Sequence, residues 1–259
     1  MMLIDTHSHL YSENLQPDIE EILQRCKQQQ LGVIILPNIN EESILPMNLL
    51  AAKSDKELLM LPAIGLHPCD VKDDIQTQLN FFKAELDKGK YIAIGETGLD
   101  YYWDLSLKKQ QQISFQTQIE WGIEKNLPVI IHSRNATEDC IAMVKDFNGK
   151  PRGVFHCFSG SLNEAKEIIA MGFYLGIGGS VTYKNSTELN EVLKQLDLNQ
   201  IVLETDSPYL PPVPHRGKRN ESSYVSLVAK HIASLKNIPV EDVAEITTQN
   251  AKKLFAISI

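Results

Sequence analysis

Apolar stretches of strand length alternate with amphipathic stretches of helix length eight times along the 259-residue chain. That alternation narrows the fold more than any other feature. Strands are expected over residues 4–6, 32–37, 59–65, 91–95, 129–131, 153–155, 173–177 and 201–203, each followed by a helix. Pro62 interrupts the third of them. The helices are expected over 17–30, 42–54, 76–88, 106–125, 136–147, 163–171 and 188–196, and two more over 222–235 and 240–255 close the chain. The stretch 32–37 is apolar throughout and ends at Pro37, the pattern of a strand buried on both faces. Strand–helix alternation implies parallel strands joined by right-handed crossovers. Eight such units in one chain of this length favour a closed α/β (β/α)8 TIM barrel, which typically takes about 250 residues. An open doubly wound sheet is the alternative, but the first strand–helix turn lacks the glycine-rich phosphate loop that often marks such sheets. A single barrel domain over 1–259 is therefore expected.

In a barrel the functional side chains cluster where the strands end at their carboxyl side. Just past each expected strand lies a residue with chemical content: His7 and His9 after the first, His67 after the third, Glu96 after the fourth, His132 after the fifth, His156 after the sixth and Asp206 after the eighth. Of seven histidines, only His231 falls in mid-helix, since His215 belongs to the loop after the eighth strand. Any one of these is an unremarkable polar group at a strand terminus; their shared rim is the signal. His7 and His9 are two apart and so face the same way, about 7 Å between Cα atoms. Mixed imidazole and carboxylate donors suit Zn²⁺, Mn²⁺, Fe²⁺ or Co²⁺, whereas an all-oxygen set would suit Mg²⁺ or Ca²⁺.

Five or six protein ligands exceed what one catalytic ion takes while keeping an open position. The economical arrangement is two divalent ions (Mg²⁺, Mn²⁺ or Zn²⁺) about 3.5–4 Å apart. His7, His9, Glu96 and Asp206 would hold one, and Glu96 would bridge to a second held by His132 and His156. Two dications against these two carboxylates leave a pocket about two charges positive, suited to a phosphodiester. Asp206 and Glu96 are the expected catalytic carboxylates, with Asp206 placed to orient the attacking water and accept its proton. Asp5 and Glu204 each precede a ligand by two residues and are expected behind the ligands, holding an imidazole. For phosphate contact the candidates are His67, Arg134, Arg216 and Lys218, the last two in the basic run His215-Arg216-Gly217-Lys218-Arg219. Tyr101, Tyr102 and Trp103 after the fourth strand offer rings for stacking a base or packing as a lid.

Composition sets outer limits. The formal charge of −8 argues against a protein that coats nucleic acid through a basic face, though not against an enzyme gripping a few phosphates at a metal-charged pocket. Cys26, Cys69, Cys140 and Cys157 are far apart with no CxxC pair, which argues against a structural zinc on cysteines and suits a reduced, cytoplasmic protein. No basic-then-apolar leader precedes the first strand, no apolar run reaches membrane-spanning length, and nothing calls for an obligate protein partner.

The set Asp5-x-His7-x-His9, Gly65-x-His67-Pro68, Gly95-Glu96-x-Gly98-Leu99-Asp100, His132-x-Arg134, His156-Cys157-Phe158-Ser159-Gly160 and Glu204-Thr205-Asp206-Ser207-Pro208-Tyr209 resembles the TatD family of metal-dependent deoxyribonucleases, in order and over the whole chain. The resemblance implies a barrel of the amidohydrolase-like group, divalent metal, and hydrolysis of DNA, often 3′–5′ from single-stranded ends. It places the family's metal ligands on His7, His9, Glu96, His132, His156 and Asp206. Glu96 stands where related amidohydrolase-like enzymes often carry a carboxylated lysine. The chain departs from the pattern at Asn220-Glu221-Ser222, where the family commonly reads Asn-Glu-Pro; a change in that loop's stiffness is expected. DNA, or alternatively RNA, is the expected substrate. A hydrolase of the same fold acting on a carboxylic ester or amide, such as an aminoacyl-RNA ester, is the second possibility, because the same metal-activated water attacks phosphorus or carbonyl carbon. A non-catalytic metal-binding protein is the third.

Overall fold

A computed structural model describes residues 2–258 of the chain. Among them eight parallel strands run in sequence order: β1 (Leu3–Asp5), β2 (Leu31–Pro37), β3 (Leu59–Ala63), β4 (Ile94–Asp100), β5 (Val129–Arg134), β6 (Gly153–Phe155), β7 (Tyr174–Ile177) and β8 (Ile201–Leu203). They fall into regular ladders β1-β2-β3 and β4 to β8, and backbone hydrogen bonds close both seams. At one, Ile64 N–H donates to Ala93 (3.1 Å) and Gly95 N–H to Ile64 (2.8 Å). At the other, Thr6 N–H donates to Leu203 (2.9 Å) and Asp206 N–H to His7 (2.9 Å). The result is the expected (β/α)8 barrel. Pro62, which has no N–H to give, sits in β3, next to the seam where pairing is thinnest.

Between the strands lie α1 (Ile19–Gln28), α2 (Glu41–Ala51), α3 (Ile75–Leu86), α4 (Lys108–Lys125), α5 (Thr137–Lys145), α6 (Leu162–Ala170) and α7 (Thr187–Gln195), with α8 (Val225–Lys236) and α9 (Val240–Phe255) after β8. Their termini follow local chemistry: Asn40 and Ser161 form reciprocal capping boxes with Ser43 and Glu164 at the starts of α2 and α6. None of the helices in the described residues is long and apolar enough to cross a membrane.

Alternation along each strand divides the core in two. Ile4, Val33, Ile35, Ala63, Ala93, Ile130, Val154 and Val202 fill the barrel interior, and Ala251, Leu254 and Phe255 of α9 pack beneath them. Asn250 of α9 donates to the Leu198 and Ile201 carbonyls (2.7 Å each), and the Thr248 hydroxyl to Met2 (2.9 Å), so α9 stoppers the amino-terminal end. The opposite faces of the strands pack outward onto the helices.

The fifth strand, expected over 129–131, runs on to Arg134, and the fourth is displaced further. The fourth strand, expected over 91–95, is β4, Ile94–Asp100, and all seven of its residues are buried. Its polar and glycine-rich run disguised it. Gly98, at φ +140°, lies so close to β5 that a Cβ would sit 2.0 Å from the His132 carbonyl oxygen. The β4–β5 register also slips between Ile94 and Thr97, an irregularity of the kind that re-aims a side chain beside a functional site. Glu96 is that side chain.

Candidate metal centre

β1 ends at Asp5, but its alternation continues: Ser8 bridges to Ser207 beyond β8, and Asp5, His7, His9 and Tyr11 fall at every second position. The Nε2 atoms of His7 and His9 are 3.1 Å apart. Glu96 Oε2 lies 3.2 Å from the first and 3.4 Å from the second, and Asp206 Oδ1 lies 3.7 and 3.6 Å from them. Four N/O ligands at about 2.0–2.1 Å from one tetrahedral ion stand about 3.4 Å apart, so this set has the dimensions of a cation cage.

The other oxygen of the same carboxylate faces a second cluster. Glu96 Oε1 is 2.8 Å from His156 Nε2, 2.9 Å from His132 Nδ1 and 3.5 Å from His67 Nε2. His132 Nδ1 is in turn 3.4 Å from both His67 Nε2 and His156 Nε2. His67, expected as a phosphate contact, thus stands among the nitrogen donors of this cluster, with its Nδ1 accepting from the Cys69 amide (3.1 Å). The rings of His7 and His156 stack at 3.9 Å, joining the two halves.

Two residues to which the sequence assigned no role decide the tautomers. Tyr11 Oη donates to the Pro37 carbonyl (2.6 Å), so at its 2.8 Å contact with His9 Nδ1 it accepts. When the His9 ring is neutral its proton is therefore on Nδ1, and the Nε2 lone pair faces the first cage. His132 Nε2 donates to Asp100 Oδ2 (2.9 Å), which leaves the Nδ1 lone pair for the second. Burial would raise the Asp100 carboxyl, but the His132 and Tyr102 N–H groups hold it at about 2. Burial would likewise raise Glu96, yet His156, His7 and His67 hold it well below the usual carboxylate range. Asp206 is lowered against its burial by the His9 hydrogen bond and by His156 and His7. Burial pulls His7 down to about 4. Burial would lower His9, His132 and His156 as well, but their anionic neighbours raise all three, His156 to about 9, so a divalent cation binds here by displacing protons from these rings.

Backbone contacts aim these groups. Asn38, just past β2, accepts the Glu96 amide on its carbonyl (2.8 Å) and the Gly65 amide on its side chain (3.2 Å), tying the bridging carboxylate to the His67 loop. Asp206 and Cys157 hold left-handed backbone, φ 57° and 46°, which for residues other than glycine stores about 1–3 kcal/mol each and is a hallmark of functional sites. Glu204, fully buried, takes the Cys157 amide and lies 3.7 Å from His156 Nδ1; burial pushes it up to about 7. Asp5, also pushed up to about 7 by burial, does not hold an imidazole as expected. It accepts from the His7 and Thr205 amides (3.3 and 2.9 Å) and the Thr205 hydroxyl (2.6 Å), so it braces β1 against the Asp206 turn.

The proposed phosphate contacts are more dispersed. Arg134, at the end of β5, lays its guanidinium over Tyr102 at 3.8 Å. Arg216 and Lys218 are exposed in the loop after β8, Arg216 over the Tyr183 ring at 4.6 Å. Arg219 is engaged with Asn14 and Asp18, and His215 stacks on Tyr224 at 4.0 Å. At the departure from the family pattern, the Ser222 hydroxyl donates to Ser8 (2.9 Å), between His7 and His9. Glu221 takes a two-pronged bond from Arg25 (2.7 Å each), so this loop is anchored without the proline.

A family model described as TatD related DNase matches residues 4–256. The chain belongs to that family. Over 258 residues it is 42% identical to YabD of Bacillus subtilis strain 168, described as an uncharacterized metal-dependent hydrolase, covering 99% of this chain and all of that one. YcfH of Escherichia coli K12, described in the same words, is 34% identical over 99% of this chain and 97% of the relative. The crystal structure of YjjV, a TatD homolog from E. coli K12, superposes with a TM-score of 0.91 at 29% identity, over 99% of this chain and 98% of that one. The chain is a TatD-family metal-dependent hydrolase, and the His, Glu and Asp clusters described above are candidate ligands for its divalent metal.

Proposed function

We propose that this TatD-family protein hydrolyses DNA phosphodiesters, working 3′ to 5′ from single-stranded ends with two divalent ions. The observation that carries this reading is the Glu96 carboxylate, whose two oxygens each face a separate cluster of donor atoms. His7, His9, Glu96 and Asp206 would hold one ion, and Glu96, His132 and His156 the other. Mn²⁺ or Zn²⁺ fits so many imidazoles better than Mg²⁺. Bound there, the ions supply Lewis acidity to a phosphoryl oxygen and to water. Asp206, at the mouth of the first cage, takes the proton from that water. His67 and the other rings of the second cluster border the place of a phosphoryl oxygen, and His67 donates to it. The family description, a DNase, supports DNA over an ester or amide. The thiols of all four cysteines are free, which suits a reaction in the cytoplasm.

The test is a panel of single- and double-stranded DNA, RNA and aminoacyl or simple carboxylic esters, each with Mn²⁺, Zn²⁺, Mg²⁺ or chelator. Release of 5′-mononucleotides from the 3′ ends of single strands is expected, abolished by chelator. Asp206→Asn should lower the rate by about 10²–10⁴-fold, the usual contribution of a positioned base. Cleavage of the esters with DNA left intact would overturn the assignment.

A further inference from the structure

The loop after β4 divides its three aromatic rings between two roles. Tyr101 turns inward: its hydroxyl donates to Asp139 (2.9 Å), its amide to the Arg134 carbonyl (2.9 Å), and the Lys108 ammonium covers its face at 4.2 Å. Tyr102 and Trp103 turn out, 53% and 70% exposed, and meet edge to face at 4.9 Å and 89°. The Arg134 guanidinium lies 3.8 Å from the Tyr102 ring centre and 5.3 Å from that of Trp103. Among the described residues it pairs with no carboxylate. Two large rings held this far out of the core contribute almost nothing to its packing. A guanidinium lying on an aromatic face, with its charge unpaired, is built for a ligand that is flat and anionic.

The position of the cluster connects it to the metal centre. Arg134 is two residues beyond His132 on the same strand, about 7 Å along it. Its register partner on β4 is Asp100, the residue that holds His132 by its Nε2. The amide of Tyr102 donates to that same Asp100 carboxylate (2.9 Å). The stack and the second cluster are thus two sides of one short segment of paired strand. On a chain of net charge −8, it sets one unpaired cation and two ring faces beside a pocket for phosphate.

We propose that Arg134, Tyr102 and Trp103 form a stacking platform for an unpaired nucleobase of the strand being cut, in a nucleotide adjoining the scissile phosphate. This rests on the nuclease reading above and gives its single-stranded ends a physical cause, because a paired base keeps its faces inside the duplex. It also changes the part given to Arg134 from a fork on phosphate to a plane beneath a base, a mode by which single-stranded nucleic acids are held without sequence preference.

Trp103 supplies its own probe, since the only other tryptophan, Trp121, is buried in α4. The metal-loaded protein is titrated with phosphorothioate-linked oligothymidylate, which resists cleavage, and with an abasic strand of equal length and linkage. Thymidylate should quench the exposed Trp103 and bind about tenfold more tightly than the abasic strand, in line with the stacking of one base on an aromatic ring. In Trp103→Ala and Arg134→Ala that preference should collapse toward unity, and Trp103→Phe should keep most of it. Equal binding of the two strands by the parent, or an unchanged preference in Trp103→Ala, overturns the platform while leaving the nuclease reading intact. A parent protein that neither binds nor cleaves any strand overturns both.

Discussion

At the scale of single residues, the centre depends on where protons sit. A neutral imidazole offers one lone pair, and the partner that takes its N–H fixes which nitrogen offers it. His9 has Tyr11 for that purpose and His132 has Asp100. Tyr11→Phe keeps the ring and removes the acceptor, so the affinity of the His7/His9 cage for Mn²⁺ or Zn²⁺ should fall by about 10–100-fold, the usual effect of losing such a partner. Asp100→Asn should do the same to the cluster around His132 and leave the first cage at its parental affinity. Calorimetric titration of the metal-free proteins would show each loss in its own binding step; one uniform weakening in both variants would mean that the rings are oriented by something else. The candidate ligands were legible in the sequence because a strand's end in a barrel is a defined place. Tyr11 was half legible, as the next same-face position after Asp5, His7 and His9. What hid it was chemistry: a tyrosine between Leu10 and Ser12 declares no partner until its hydroxyl is seen between His9 and Pro37. Asp100 stood in the motif, but its role was hidden because it lies in a strand whose boundary was misplaced.

Among the elements, α4 does more than cover the barrel. It buries Gln111, Ser114 and Gln118 on its inward stripe, where apolar residues would be expected. Gln111 exchanges two hydrogen bonds with the backbone of Asp100 (3.0 and 3.1 Å), and Gln118 does the same with Leu66 (2.8 and 3.1 Å). Each amide side chain thus replaces the strand neighbour that Asp100 or the His67 loop lacks. Gln118→Leu would leave the buried Leu66 N–H and C=O without partners, at about 1–3 kcal/mol for each group. Urea unfolding should accordingly show a loss of about 2–6 kcal/mol, whereas Gln116→Ala, on the exposed face of the same helix, should stay within about 0.5 kcal/mol of the parent. If both behave alike, the paired amides carry no strain-relieving role. Helix periodicity located α4 to within two residues at its start, but a glutamine reads as solvent-facing in any sequence pattern. Only an unsatisfied strand end calls it inward, and such ends exist only once the barrel has closed.

At the level of the molecule, eight strand–helix repeats made the barrel legible, while the stopper did not announce itself. The apolar stripe of α9 showed that the helix is buried, and the interior it packs under exists only after β8 meets β1. The same closure brings Glu96 and Asp206 from β4 and β8 to the histidines of β1, β5 and β6, and an unfolded chain holds no such cages. A divalent ion therefore binds the native state alone and stabilises it by mass action. Each bound ion adds about 1.4 kcal/mol for every tenfold rise in free metal above its dissociation constant. With the two ions proposed above, the gain would be about 2.8 kcal/mol, which for a chain of this size raises the melting temperature by about 6 °C per decade. Melting curves in metal buffers spanning several decades of free Mn²⁺ should show that slope. His156→Ala, which removes a ligand of the second cluster only, should halve it to about 3 °C per decade and not abolish it. A parental slope already at the lower value would mean a single ion, and Glu96 would then be a ligand with one working oxygen.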